Sequence, residues 1–413
     1  MFSLLVVITI VLGVIAAVQL SKVYQLASKL RNHREEDISE ADNRMNAWLM
    51  LIWMFVFFIA VIYFYVAYGD FLPDSASAHG SEIDWLFNVN IVIITAVFFL
   101  VHILLFVFAF KYYYREDRKA FFFPHNTKLE LIWTVIPSIV LMFIIIFGLG
   151  VWNDITADTE TENPIVVEVY SKQFDWTMRY PGADKQLGFS NYNLISGTNP
   201  LGIVSDQLII DKVAELDEEI AGIKATLEEK GDYLPGEQVE SMQDKIYRLE
   251  RHKLRLNDVS MSKEVASGES KAGMDDKVVK GELHLPVNRE VEFVFNSRDV
   301  IHSAYMPHFR AQMNCVPGVP TRFKMTPVIT TDSMRVMENN PKFDYVLLCN
   351  KVCGASHNNM AVKVIVESEE DYQEWIQSQK TFAESLGGAE ETSPVGDSVN
   401  EEENATAEPV AQK

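Results

Sequence analysis

Four side chains in the stretch VLLCNKVCGASHNNMAVKV, Val346 to Val364, carry ligand chemistry. Cys349, Cys353, His357 and Met360 follow a C-x3-C-x3-H-x2-M spacing. Two thiols, an imidazole and a thioether are soft ligands, and the chain has only three cysteines in all. A disulfide between the two thiols would close a small, strained ring and leave His357 and Met360 without a role. Zinc would use the two cysteines, His357 and one more histidine, and would leave Met360 idle. Thiolate, imidazole and a weakly bound thioether together describe an electron-transfer copper site. A mononuclear blue-copper site uses one cysteine, whereas two at this spacing allow both sulfurs to bridge two copper ions. A second imidazole is then required. His302, in SRDVIHSAYMP at the end of a strand-like run, is the best candidate. His308 and His284 rank below it; His284 lies within a strand pattern, where a lone histidine is more often half-buried structure than ligand.

The rest of the 413 residues must position this set. That length allows two or three domains. A net charge of -21 argues against nucleic acid as a partner. Apolar residues concentrate in the first 152 positions, in four runs that reach the ~20 residues needed to cross a lipid bilayer. They are Phe2–Leu20, Ala47–Tyr68, Ile91–Phe110 with His102 inside it, and Leu131–Trp152 with Pro137. The segment 21–46 holds Lys22, Lys29, Arg31, Arg34 and Arg44, and 111–128 holds Lys111, Arg115, Arg118, Lys119 and Lys128. Both should be cytoplasmic. The loop 69–90 has no lysine or arginine and should face outward, as should the N-terminus and everything after Trp152. The first run has no basic start, and its positive charges follow it, so a retained anchor fits better than a cleaved signal peptide.

Beyond the spans, residues 164–200 and 278–366 read as strands. In PIVVEVYSKQFDWTMRYPG, alternation runs through Val167, Val169 and Phe174 to the stop at Pro181-Gly182. Val291, Phe293 and Phe295 repeat at period two, and YVLLCN and MAVKVIVES flank the ligand cluster. The pattern predicts a small β-sandwich or barrel. Residues 205–257 differ: Val213, Leu216, Ile220, Ile223 and Leu227, then Val239, Met242, Ile246, Leu249 and Leu256, follow coiled-coil spacing, with Lys253 in a seam slot. GDYLPGE, 231–237, separates the two halves of an antiparallel helical hairpin. Residues 370–381 read as a closing helix, and the acidic tail, 382–413, as disordered.

These residues carry a resemblance. DVIHS followed by CNKVCGASHNNM resembles subunit II of the haem–copper cytochrome c oxidases, with its binuclear copper A centre. LELIWTVIPSIVL, Leu129–Leu141, is similar to that family's second transmembrane helix, KQFDWTMRYPG to its aromatic stretch, and NCVPGVP to its Pro-Gly turn. The similarity covers about 85–200 and 275–380. It implies a membrane-anchored protein: transmembrane α-helices followed by an all-β cupredoxin-like barrel, here with an inserted helical hairpin and extra N-terminal spans. The domains would be 1–46, first span and cytoplasmic loop; 47–84, second span and outer loop; 85–155, the family's transmembrane hairpin; 160–204 and 258–381, the copper domain; and 205–257, the insertion. Carried over, the family's ligands are Cys349 and Cys353 bridging two copper ions, His302 and Met360 on one ion, and His357 with the Lys351 carbonyl on the other. The implied function is subunit II of a terminal respiratory oxidase. It would accept electrons from cytochrome c and pass them to haem in subunit I, where further copper, oxygen reduction to water and proton pumping belong. Subunits I and III and the bilayer are the implied partners. The implied location is a bacterial cytoplasmic (inner) membrane, with the copper domain periplasmic. A copper-delivery protein without electron transfer is the alternative. A quinol oxidase subunit would lack the copper ligands present here.

The sequence departs from the family at several points. Lys351 stands where a glutamate usually helps hold magnesium at the interface of subunits I and II, and Asn314 replaces a common aspartate. The magnesium site is therefore not supported in its usual form. Phe174 takes the place of the tryptophan at which electrons enter, two residues before Trp176. Glu130 matches the glutamate at the mouth of a proton pathway into subunit I. The unusual Phe174, the extra spans and the hairpin point to a cytochrome c domain tethered in a neighbouring respiratory complex as an electron donor, besides a soluble one. Cys315 matches no ligand position and reads as a buried thiol.

The charge argument is tested by topology reporters. A reporter fused after Lys119 should behave as cytoplasmic and one fused after Lys413 as periplasmic. The reverse at either site contradicts it.

Overall fold

The computed structural model describes residues 2–30, 39–69, 71–157, 164–262, 265 and 273–387. The chain divides into two compact units, one of 1–72 with 84–148 and one of 73–83 with 149–413.

The first unit is helical. α1 spans Phe2–Leu30, α2 Glu40–Tyr68, α3 Gly80–Lys111 and α4 Thr127–Thr156, the ends of the last two belonging to the second unit. All four are long and apolar enough to cross a membrane. The 29 residues of α1 correspond to about 44 Å, against a hydrocarbon core of ~30 Å. α1 thus continues beyond the predicted run through Lys22 and Lys29, and α2 begins before Ala47, because the intervening residues are good helix formers. Arg31 and Arg34 lie outside the described residues. An aromatic seam joins α2 to α3: Trp48 meets Phe110 at 4.7 Å and Phe58 meets Phe99 at 4.8 Å between ring centroids. His102 faces this seam, 5.7 Å from the Phe57 ring, with Nδ1 2.8 Å from the Phe98 carbonyl oxygen.

The second unit is built on two five-stranded sheets, an all-β, cupredoxin-like sandwich. The strands are β1 Ile165–Lys172, β2 Asp175–Tyr180, β3 Lys277–Lys280, β4 Glu282–Pro286, β5 Val291–Ser297, β6 His302–Met306, β7 Ala311–Cys315, β8 Thr321–Met325, β9 Tyr345–Cys349 and β10 Ala361–Glu367. One sheet has the order β3-β2-β1-β5-β8 and the other β4-β10-β9-β6-β7. The β1–β5 and β4–β10 pairings are parallel. Val167, Val169, Trp176, Phe293 and Phe295 from the first sheet meet Leu283, Leu285, Tyr345, Leu347 and Val364 from the second in one core.

The inserted hairpin is present as α5 Asp206–Lys230 and α6 Gly236–Ser260. Ser205 caps α5, accepting a hydrogen bond from the Leu208 N–H. Ile209, Leu216, Leu256 and Val259 form its core with Leu194 and Val204 of the preceding loop. Lys253 sits in the seam because its ammonium reaches out to Asp217 across the hairpin. After α7 (Thr331–Met337) comes the closing helix α8 (Glu369–Ser378), whose Trp375 stacks on His284 at 3.9 Å.

Two expectations are corrected, and one feature is new. Strand structure does not continue to residue 200: β2 stops at Tyr180, and the chain runs on as a loop closed by a Ser190–Ile203 bridge. Pro181 supplies no N–H to extend the ladder. Not foreseen from the sequence, Ala76, Ser77 and Ala78 of the outer loop dock on the sandwich. The Ala76 N–H donates to the His308 carbonyl at 2.7 Å, and the Val328 N–H to that of Ala76 at 2.8 Å. The tail begins later than expected, since Phe382–Gly387 forms a helix, α9, with Phe382 buried against Leu201 and Ile203. The tail from 388 on lies outside the described residues.

The loop after β2 is held by a buried ionic network. Arg179 on β2 pairs with Glu168 on β1 at 2.5 Å and with Asp276 at 3.1 Å, and donates to the Gly188 carbonyl at 2.8 Å. Asn296 on β5 donates to Glu168. Arg179→Leu strands the buried Glu168 carboxylate and removes the donor to Asp276, and its expected cost is about 3–5 kcal/mol in unfolding experiments. Burial raises Asp276 from 3.8 to about 7, against the pull of Arg179. The folded state keeps this proton where the unfolded chain has lost it, so the group's contribution falls as pH rises across that window. Asp276→Asn should therefore gain melting temperature relative to wild type between pH 5 and pH 8. A constant difference would contradict the assignment.

Candidate metal centre

Strand ends place three of the ligands, and the loop between two of those strands carries the others. His302 opens β6, Cys349 closes β9, and Met360 immediately precedes β10. β9 and β10 pair antiparallel, so Asn350–Met360 forms a hairpin loop. The Cys349 N–H donates to the Met360 carbonyl at 3.1 Å and the Asn350 N–H to that of Ser303 at 3.2 Å, fixing the loop to β10 and β6. His357 starts a short 3-10 turn, His357–Asn359, that returns the chain to Met360.

The structure brings together all six residues named from the sequence. The Cys349 and Cys353 sulfurs are 3.9 Å apart, far beyond a disulfide bond of about 2.05 Å. Half of that separation is shorter than a metal–thiolate bond of roughly 2.3 Å, so both sulfurs can touch the same ion. His302 Nδ1 lies 3.8 Å from the Cys349 sulfur, and His357 Nδ1 lies 3.6 Å from that of Cys353. Met360 Sδ is 3.8 Å from Cys353, and the Lys351 carbonyl oxygen is 3.1 Å from Cys349. His302, both cysteines and Met360 are buried, while His357 is half-buried and the Lys351 side chain is exposed. Among the described residues, His302, Cys349 and Cys353 form the group of three or more His, Cys, Asp or Glu able to share an ion. The donor set fits a soft metal. Burial and the neighbouring Cys349 push the Cys353 thiol up to about 11, so a metal must displace its proton on binding.

A surrounding shell was not read from the sequence. Asp299 Oδ1 is 2.9 Å from His302 Nε2. With Nε2–H donated there, Nδ1 turns its lone pair toward Cys349. The Gln173 N–H donates to the other Asp299 oxygen at 2.7 Å, and its side-chain amide donates to the Cys353 carbonyl at 2.5 Å. Burial works against charge on Asp299, but hydrogen bonds from Gln173, His302 and Val300 outweigh it and hold the carboxyl below its usual range. Gly354 adopts φ +146°, and a Cβ there would stand 2.8 Å from Gln173 Nε2 and 2.9 Å from Phe174 Cζ. Phe174 is half-buried beside this turn, and Trp176 is fully buried, donating its indole N–H to the Met360 carbonyl at 3.3 Å. The available signal was the i, i+3 spacing of Asp299 and His302. Nothing local points to Gln173.

The remaining candidates lie elsewhere. His284 binds Glu367 at 2.8 Å, and the His308 ring packs edge-on against Phe343 and Tyr345. Cys315 is buried and its thiol is pushed up to about 12. Glu130 lies in the first turn of α4, accepting a hydrogen bond from the Asn126 N–H at 3.2 Å.

Asp299→Asn no longer enforces the His302 tautomer, and copper affinity should fall roughly 10–100-fold, as second-shell losses do. Competition with a copper(I) chelator measures it, and an affinity within about twofold of wild type would contradict the role assigned to Asp299.

Residues 65–151 match the family described as cytochrome c oxidase subunit II, transmembrane domain, and residues 256–368 its periplasmic domain. An alternative cytochrome c oxidase subunit 2 from Bradyrhizobium diazoefficiens is 30% identical over 73% of this chain and 81% of its own length. A cytochrome c oxidase subunit 2 from Thermostichus vulcanus is 26% identical over 86% of this chain and 91% of its own. A crystal structure of the periplasmic domain of subunit II of cytochrome oxidase from Bradyrhizobium japonicum aligns at 12% identity with a TM-score of 0.26, covering 53% of this chain and 96% of that one. On its sequence relatives, this chain belongs to the cytochrome c oxidase subunit II family.

Proposed function

We propose that the chain is the subunit through which electrons enter a proton-pumping terminal oxidase of a bacterial inner membrane, and that it holds two copper ions. The observation that carries this reading is the pair of unbonded thiols, 3.9 Å apart, with an imidazole beside each. Cys349 and Cys353 would bridge both ions. His302 and Met360 would complete one, and His357 with the Lys351 carbonyl the other. Bound there, the pair supplies a one-electron couple whose charge change is spread over two bridged ions.

The chain's own residues do the remainder. The buried sulfurs and His302 keep water from the ligands, and Asp299 and Gln173 hold His302 and the Cys353 peptide in place. A ligand set that does not rearrange adds little barrier to electron transfer. Phe174 offers an apolar contact at the ligand loop, and Trp176 holds the Met360 carbonyl from the core. Val352, 83% exposed, stands between Lys351 and Cys353, and Ile301, 44% exposed, precedes His302. These apolar groups beside the ligands suit docking of a haem-edge surface. The donor in this reading is cytochrome c, free or as a tethered domain of a neighbouring complex, and the acceptor is a haem in subunit I, where oxygen becomes water. Subunit III completes the assembly, and Glu130 opens a proton path toward subunit I. Lys351 and Asn314 offer no carboxylate for magnesium.

Copper analysis tests the ligand set. The wild-type chain should bind two copper ions. Cys349→Ser or Cys353→Ser should lose the pair, because a hydroxyl is a poor bridge. Met360→Leu should keep copper and shift its potential, since a thioether is a weak ligand. Two copper ions per chain in either cysteine variant would overturn the assignment.

A further inference from the structure

The outer face of α6 carries an arginine stripe that the copper site does not use. Arg248, Arg251 and Arg255 are spaced i, i+3 and i+7, which puts them within about 60° of one another around the helix axis. They lie opposite the seam residues Ile246, Leu249 and Leu256. All three are exposed, and no hydrogen bond or ion pair to a carboxylate is formed by any of them among the described residues. Lysines on the inner edges behave differently: Lys245 pairs with Glu219 at 2.7 Å and Lys224 with Glu250 at 3.4 Å. Arg251 lies over the Tyr247 ring at 5.8 Å. Asp244 and Asp258 occur on the same face, one at each end of the stripe. Three like charges one turn apart repel, and Asp244 and Asp258 offset this only at the two ends of the stripe. The short turn Tyr192–Leu194 borders it, held by His252 Nε2 at 2.8 Å from the Asn193 carbonyl oxygen.

The described chain ends on the other side of that same turn. Leu386 and Gly387 line a cleft with Leu194, Ser196, Asp211 and Glu215. The residues that follow, 388–413, contain Glu390, Glu391, Asp397, Glu401, Glu402, Glu403 and Glu408 against the single cation Lys413. At the cleft Asp211 repels these carboxylates while Glu215 is paired with Lys212 at 2.7 Å, and the arginines across the turn attract them. We infer that this acidic tail of the chain folds back across the Tyr192–Leu194 turn and docks on Arg248, Arg251 and Arg255. Three extended residues to Glu390 span about 10 Å. A flexible chain of fourteen residues, the separation in sequence of Gly387 and Glu401, would span about 20 Å. The stripe itself is about 10 Å long. Tethering gives an effective concentration of roughly millimolar, so weak, exposed pairs are enough. Such pairs are screened by salt.

Zero-length cross-linking tests this on the full-length chain in detergent. Arg248→Lys, Arg251→Lys and Arg255→Lys, combined, keep charge and helix propensity while giving amines that carbodiimide can couple to carboxylates. Peptide mass spectrometry of the monomer band should find bonds from positions 248, 251 or 255 to Glu390, Glu391, Glu401, Glu402 or Glu403. Their yield should fall at least about fivefold between low salt and 0.5 M salt. Circular dichroism confirms that the variant is folded. Links from these positions only to Asp244 or Asp258 would overturn the proposal. So would links only between two chains, or links in native membranes to another protein with the tail uncoupled.

Discussion

Two sulfur atoms 3.9 Å apart that are not bonded to each other set the terms for the rest of the structure. Left unconstrained, a pair of thiols outside the cytoplasm oxidises or drifts apart. Here each is fixed by the backbone that carries it. Cys349 is the last residue of a strand paired on both sides, by β6 and β10, and Cys353 is held through its carbonyl by Gln173. The sandwich can be understood as a frame for this spacing. Its two sheets fix where β6, β9 and β10 end, and those ends supply His302, Cys349 and Met360.

The frame extends beyond the ligand-bearing sheet. Gln173 and Asp299 flank the strands of the opposite sheet, between β1 and β2 and just after β5, yet they bond to the ligand loop and to His302. The site is thus clamped between sheets, and Gly354 makes the close approach possible because a side chain there would collide with Gln173 and Phe174. This arrangement fits a centre that must change charge without changing shape. The buried Arg179 network serves a different purpose, tying the long loop that leads into the helical hairpin onto the first sheet.

What could be read from the sequence followed the range of the interactions. Cys349, Cys353, His357 and Met360 were legible because one loop carries them all, and soft ligands at that spacing have few other uses. The four spans and the hairpin were legible from apolar length and from coiled-coil period. His302 is distant in the chain; the need for a second imidazole at the end of a strand-like run singled it out, and the motif resemblance agreed. Gln173 acts through contacts more than a hundred residues away in sequence, and no periodicity encodes such a contact, whereas Asp299 lies only three residues before His302. The docking of Ala76 on the sandwich was hidden for the same reason, since small residues in a short loop carry no pattern. Phe382 escaped notice because one buried aromatic residue, at the edge of an otherwise polar tail, is enough to order a helical turn.

The central claim is that both thiols serve one shared two-copper centre. Electron paramagnetic resonance of the purified, copper-loaded chain tests it most directly, because an unpaired electron divided equally over two copper nuclei splits differently from one confined to a single ion. A purple protein with a seven-line mixed-valence spectrum is the predicted result. A four-line spectrum of a single copper ion, or a colourless protein that binds copper without a signal, would contradict it.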